Sequence, residues 1–419
     1  MLEHHVLGVP ELTLARILEA RARISAQLPR TPCRESPSVS QRAGASVHLK
    51  LESLMPSGSF KERGALNRLL LLSADERARG VIAASAGNHA QAVARHAQNL
   101  GISATVVMPE PTPLVKVTAV RGYGAEVVLA GSSYDEASAT AEHLRSERGL
   151  TLVHPFDDLE VMAGQGTLGL ELLEQVPGLE VVVVPVGGGG LLAGVACAIK
   201  ETAPEVQVFG VESNTFPGMK RALEHEPELP LTGGKTIADG IAVREVGRLT
   251  RTIVERYADG IALVDEEEIA EAVLSLLERD KTVAEGAGAV GVAAALSGLL
   301  PLAGKRVAVV VSGGNIDVNL MSRIIERGLV KTGRLSRFVL VLPDVTGALA
   351  RLLGLFSSLG ANIVEVEHDR AFAKVELGET RVELVVETRG LDHAALVSER
   401  LAAEGYRVGD QGARKSLFR

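Results

Sequence analysis

Short, largely uncharged β-branched runs recur along this chain, and most lead into a glycine-containing turn and then a segment with apolar residues at helical spacing. The runs at 80–84, 104–108, 125–129, 152–154, 180–185, 206–212, 260–264 and 306–311 predict strands. Segments 90–100, 136–148, 191–201 and 266–278 predict helices, the last opened by a capping pair, Asp265 and Glu268. Strands that are apolar throughout and alternate with helices imply mainly parallel sheets covered on both faces. The predicted fold class is therefore α/β, with ligand sites at the glycine turns that follow the strands.

The pattern changes at a polar link, 331–336. Beyond it, strand signals at 337–342, 362–369 and 382–387 and helix signals at 346–359 and 393–404 form a compact β-α-β-β-α-β unit. The predicted organisation is a catalytic domain over 1–330, with a smaller subdomain at about 50–150, and a separate unit over 331–419.

Two uncharged stretches, 181–199 and 286–304, are long enough to span a bilayer. Pro185, Pro301 and repeated glycines interrupt them, so they are predicted as buried α/β segments and no membrane association is expected. Residues 1–10 lack the basic-then-apolar layout of a leader. A net charge of -8 with no basic cluster argues against nucleic acid as a partner. Cys33 and Cys197 cannot build a disulfide framework and fit a reducing cytoplasm.

Four turns carry chemistry. In Pro56-Ser57-Gly58-Ser59-Phe60-Lys61-Glu62-Arg63-Gly64-Ala65, a tight turn leads into a helix that starts near Lys61. The positive field at a helix N-terminus lowers a lysine pKa, and a partly neutral amine attacks an aldehyde to form an imine. Taken alone, the segment reads more readily as a solvated surface turn. In Ser85-Ala86-Gly87-Asn88-His89-Ala90-Gln91, a strand turns into a helix, and free N–H groups beside a hydroxyl and an amide suit a carboxylate. Alone, this is more simply a helix cap.

Gly187-Gly188-Gly189-Gly190 follows a valine-rich strand and precedes an apolar helix, so backbone N–H groups and the helix dipole can converge on a phosphate. Gly188, Gly190 and Ala193, with Glu212 ending the next strand, also match a loose dinucleotide fingerprint, and this motif by itself leaves the two readings open. Ser312-Gly313-Gly314-Asn315 ends another buried strand, where Ser312 either caps a helix or meets a heteroaromatic nitrogen without charge.

In this order the four motifs resemble the fold-type II pyridoxal-phosphate enzymes, and most of all the threonine ammonia-lyases, over roughly residues 10–330. The resemblance implies a two-subdomain catalytic fold and pyridoxal 5′-phosphate as cofactor. Lys61 then corresponds to the lysine that carries the cofactor and acts as catalytic base, and Phe60 to the residue beside its ring. Asn88 corresponds to the partner of its phenolic oxygen, Gly187, Gly188, Gly189 and Gly190 to the phosphate cradle, and Ser312 to the partner of the pyridine nitrogen. Ser85, Gly87, Asn88 and His89 correspond to the turn that grips the substrate carboxylate.

The implied reaction is dehydration and deamination of L-threonine to 2-oxobutanoate and ammonia, and of L-serine to pyruvate; a serine racemase, a hydroxyaspartate dehydratase and a non-catalytic amino-acid sensor are the alternatives. Serine racemases are similar but place a second serine where this chain has Ala86, and their divalent-metal site is matched only at Glu212, so no metal is expected. Glu285 is expected at the border of the cofactor ring. The C-terminal unit resembles an ACT domain, with 343–349 and 360–363 carrying the likeness. That implies a possible amino-acid effector and a homodimer or homotetramer.

Overall fold

The computed structural model describes residues 11–226, 234–370, 372 and 375–408; residues 1–10, on which the reading of no leader rests, lie outside them. The chain divides into two compact units, Met1–Asp317 and Val318–Arg419.

The first unit begins with α1 (Leu14–Ile24), β1 (Cys33–Glu35), α2 (Pro37–Ala43), β2 (Ser46–Leu51), α3 (Lys61–Leu70) and α4 (Ala74–Arg79). It continues through β3 (Val81–Ala84), α5 (Asn88–Leu100), β4 (Ala104–Met108), α6 (Leu114–Gly122), β5 (Glu126–Leu129), α7 (Tyr134–Arg148) and β6 (Thr151–Leu152). There follow α8 (Leu159–Gln175), β7 (Val181–Pro185), α9 (Gly190–Thr202), β8 (Gln207–Ser213), α10 (Gly218–Leu223) and α11 (Arg248–Tyr257). It closes with β9 (Gly260–Val264), α12 (Glu266–Glu278), α13 (Gly286–Leu296) and β10 (Arg306–Val311).

These strands form two sheets. One has six strands in the order β1-β2-β10-β7-β8-β9, parallel except for the antiparallel edge strand β1. The other has four parallel strands, β5-β4-β3-β6. Every residue of β3, β4 and β7 is buried, as expected where helices cover both faces. The predicted strands are all present. Strands β1 and β2 were not anticipated, because β2 reads Ser-Val-His-Leu-Lys-Leu and a lysine argues against a buried strand. Lys50 is nevertheless fully buried, held by Glu171 at 2.5 Å, Gln175 at 2.7 Å and the Thr31 carbonyl at 2.9 Å. The capping pair is formed: Asp265 accepts from the Glu268 N–H at 2.8 Å and Glu268 returns the bond.

Strand order sets the site. Adjacent strands β2, β10 and β7 run parallel, so their C-terminal ends lie side by side. Those ends lead into the lysine segment, the Ser312 turn and the tetraglycine. Among the described residues no helix is long and apolar enough to cross a membrane. The stretch 181–199 folds as β7, the glycine turn and α9, and 286–304 opens with α13.

The second unit opens with α14 (Val318–Lys331), followed by β11 (Leu335–Pro343), α15 (Ala348–Ser358), β12 (Asn362–Asp369), β13 (Glu379–Glu387), α16 (Leu391–Ala403) and β14 (Arg407–Val408). Its sheet is antiparallel in the order β12-β13-β11-β14, the β-α-β-β-α-β arrangement. Phe338 and Phe356 meet edge to face, 5.4 Å apart, in a core with Leu340, Leu352 and Leu384. The division between units falls before α14, whereas the sequence change is visible only at its end.

Candidate active site

Lys61 is the first residue of α3. The turn before it is stitched to the end of β10: Phe60 N–H donates to the Ser312 carbonyl at 3.0 Å, Gly314 N–H to Gly58 at 2.9 Å, and the Asn315 amide to Ser57 at 2.7 Å. Glu62 anchors the same turn from a fully buried position, accepting from Ser57 N–H and Arg95 at 2.8 Å each, with His96 Nε2 at 2.6 Å. Arg63 is buried too, gripped by Glu52 and Glu171. The Lys61 amine donates to the Pro155 carbonyl at 2.7 Å and sits 5.2 Å from the centre of the Phe60 ring. Burial lowers its pKa to about 8, while Glu285 pulls it upward. The expected depression is present, but its cause is loss of water rather than the helix field.

Strand β3 delivers the second turn. Ser85 Oγ accepts from Gly87 N–H at 3.2 Å, which leaves its own hydrogen free. Asn88 donates to Glu285 Oε1 at 2.6 Å and accepts from Asn315 at 2.8 Å, joining the turn to the six-stranded sheet. His89 differs from its neighbours. Its ring is buried and donates from Nε2 to the Val153 carbonyl at 2.8 Å. Burial, reinforced by Lys61, drives the imidazole down to about 3, so it stays neutral. Its ring is engaged by Val153, so what it can offer an anion is the backbone N–H near the start of α5.

The tetraglycine turn closes the site. Among the described residues, the N–H groups of Gly188, Gly189 and Gly190 have no acceptor within the chain. They stand at the N-terminus of the 13-residue helix α9, so the helix field favours an anion there. Gly189 has φ +91, and a Cβ at Gly188 would lie 2.3 Å from the Phe156 ring. Thr250 donates to the Gly188 carbonyl at 2.7 Å. Phe156 and Asp157 are themselves pinned: both N–H groups point at His154 Nδ1, at 3.2 and 2.8 Å.

Ser312 is buried at the end of β10, with a neutral hydroxyl 3.5 Å from the Ala287 carbonyl. Glu285 is buried nearby, and burial, with Asp239 adding to it, pushes its carboxyl up to about 7. Sequence reasoning assigned no role to Pro155, Phe156 or Asn315. Asn315 stood in a quoted motif; the other two carried no signal, because they act through a carbonyl and a packed ring.

The donor set is a readily neutralised amine, a cradle of N–H groups and an uncharged hydroxyl. These fit the aldehyde, phosphate and ring nitrogen of pyridoxal 5′-phosphate. The dinucleotide reading fails on Glu212, whose buried carboxylate is taken up by the N–H groups of Met219 at 2.7 Å and Lys220 at 2.9 Å.

A family model described as pyridoxal-phosphate dependent enzyme matches residues 24–313. The chain is 49% identical over 397 residues to an L-threonine ammonia-lyase of Thermotoga maritima, covering 95% of this chain and 99% of that protein. It is 47% identical over 393 residues to an L-threonine ammonia-lyase of Geobacter sulfurreducens, covering 94% and 98%. Among solved structures, threonine deaminase isoform 2 from Solanum lycopersicum superposes with TM-score 0.71 at 35% identity, covering 76% of this chain and 89% of that one. Serine racemase from Dictyostelium discoideum superposes with TM-score 0.68 at 37% identity, covering 73% and 99%.

Proposed function

This chain belongs to the pyridoxal-phosphate dependent enzyme family, and from that premise we infer its activity: it is a threonine ammonia-lyase, converting L-threonine to 2-oxobutanoate and ammonia. The observation that carries this reading is the half-buried Lys61 amine at the start of α3, hydrogen-bonded to the Pro155 carbonyl, lowered to about 8 by desolvation and tied through Phe60 to the turn that holds Ser312.

Lys61 would hold the cofactor aldehyde, the N–H groups of Gly188, Gly189 and Gly190 its phosphate, and Ser312 its ring nitrogen. Gly187 leads the chain into that cradle. Asn88 has one amide hydrogen engaged by Glu285 and a second free for the phenolic oxygen. When bound, pyridoxal phosphate supplies an electron sink at the carbon that bears the substrate amine.

The chain's own groups do the rest. The Ser85 hydroxyl and the N–H groups of Asn88 and His89, at the start of α5, receive the substrate carboxylate, with Gly87 shaping the turn. That fixes the Cα–H bond relative to Lys61. Lys61 Nζ, with a pKa of about 8, has a usable neutral fraction near neutral pH and takes the Cα proton. The Cα proton taken by Lys61 and the β-hydroxyl depart together as one water, and the released enamine takes up water and loses ammonia. Ser312 brings no charge to the ring nitrogen, which favours prompt elimination over longer-lived carbanion chemistry.

A racemase must return a proton on the face opposite Lys61, and Ala86 in the carboxylate turn has none to give. This supports elimination, although solved serine racemases share the fold. The folding of the second unit supports an ACT-like role: binding a regulatory amino acid and pairing subunits into a dimer or tetramer. Initial rates of 2-oxo acid release from L-threonine and L-serine, with D-serine measured in parallel, test the activity. Release of 2-oxobutanoate from threonine is expected, with pyruvate far outrunning D-serine. Absence of 2-oxobutanoate, or D-serine formed faster than pyruvate, would overturn it.

A further inference from the structure

Helix α6 lies between β4 and β5 in sequence, in the layer of the four-stranded sheet. Lys116, in its first turn, reaches out of that layer and donates to Asp239 Oδ2 at 2.7 Å. Asp239 opens a short 3-10 turn, Asp239–Ile241, that packs against α13, the helix lying on β10, β7 and β8 of the six-stranded sheet. What lies behind this turn gives the pair its interest. A Cβ on Gly240 would come within 3.4 Å of Glu285 Oε1, and a Cβ on Gly187 would come within 3.1 Å of the Ile241 Cα. Segment 237–243 is therefore a wall shared by Glu285 and the tetraglycine. Both charges of the pair are felt at the Glu285 carboxyl: Asp239 raises its pKa and Lys116 lowers it.

The same two layers are also joined deeper in the site by neutral and carboxylate hydrogen bonds, Asn88 to Glu285 at 2.6 Å and Asn315 to Asn88 at 2.8 Å. The outer tie is of another kind. The Asp239 side chain is 59% exposed and that of Lys116 26% exposed. An ion pair in water is weak and breaks readily, which suits a contact that must open for substrate entry and product release.

We propose that Lys116 and Asp239 are positioning residues that latch the two α/β layers over the substrate cleft, pressing segment 237–243 onto Glu285 and the phosphate cradle. The kinetic side of this proposal rests on the threonine-lyase reading; the structural side does not.

The test uses the full-length holoenzyme and three variants: Lys116→Glu, Asp239→Lys and the double swap. Each single reversal is expected to raise KM for threonine about fivefold, the scale of an exposed ion pair, with kcat within about twofold. Amide exchange in 237–243 is expected to quicken in both singles. The double swap restores both readouts. In addition, about 0.5 M salt quickens wild-type exchange in this segment toward that of the single reversals, because salt screens exposed charges. A double swap no closer to wild type than the singles, or single reversals with unaltered exchange, would overturn the latch. A wild-type protein inactive on threonine would sink the activity reading alone, and the exchange comparison would still decide the latch.

Discussion

The role proposed for Lys61 sets two demands that oppose each other in water: an amine must be uncharged to attack or take a proton, yet near neutral pH it is ordinarily protonated. Burial resolves this by lowering its pKa from 10.5 to about 8, and Glu285 sets how far the shift goes by pulling the other way. Attachment of the cofactor to the cofactor-free protein is therefore expected to accelerate with pH, with a midpoint near 8. In Glu285→Gln the upward pull is gone, and the midpoint is expected to fall below the wild-type value. Stopped-flow absorbance at a series of pH values measures both, and a midpoint that rises or stays put in the variant would contradict the role given to Glu285. The sign for stability follows from the same shift. Between about 8 and 10.5 the unfolded chain holds more protons on Lys61 than the folded one, so the cofactor-free protein gains stability as pH rises through that window. His89 is the contrasting case. It stands in a motif that reads as substrate-binding, yet its neutral ring faces the Val153 carbonyl and stabilises a neighbouring segment.

At the scale of elements, function is concentrated where strands stop. β2, β10 and β7 end side by side, and each hands over to a turn whose backbone or side chain faces one site. The cradle depends on glycine at a position with positive φ. In Gly189→Ala, φ +91 strains an L residue, and the new Cβ would lie 2.4 Å from the Met219 side chain. The strain, about 1–3 kcal/mol, is relieved if the empty turn relaxes and returns when it closes on an anion, so cofactor affinity is expected to drop about tenfold or more. Titration of the cofactor-free variant measures this; wild-type affinity would contradict the assignment. The strands and turns around this cradle were legible because they are apolar runs broken by glycine. β2 was not, since Lys50 looks like a surface residue until its partners Glu171 and Gln175, far away in sequence, are seen to enclose it. Phe156 was hidden for a related reason: nothing local marks a phenylalanine that must lie against Gly188. Motif order singled out Lys61 and the tetraglycine turn, but not the hydrogen bonds from Asn88 and Asn315 that join the two layers.

At the scale of the whole molecule, the chain pairs a catalytic unit with a second unit that has its own sheet and core. The change of pattern in the sequence falls at 331–336, whereas α14 already groups with the second unit and carries no mark of the transition. If the second unit senses an amino acid, at least one common amino acid is expected to shift the threonine saturation curve of the full-length protein; a curve unchanged by any of them at saturation would leave that unit with assembly alone. The proposed activity depends on one covalent attachment, that of the cofactor to Lys61. Reduction of the holoenzyme with borohydride, followed by peptide mass spectrometry, tests it most directly. The phosphopyridoxyl group is expected on Lys61. A holoenzyme that turns over threonine but carries the label on another lysine, or on none, would contradict the account.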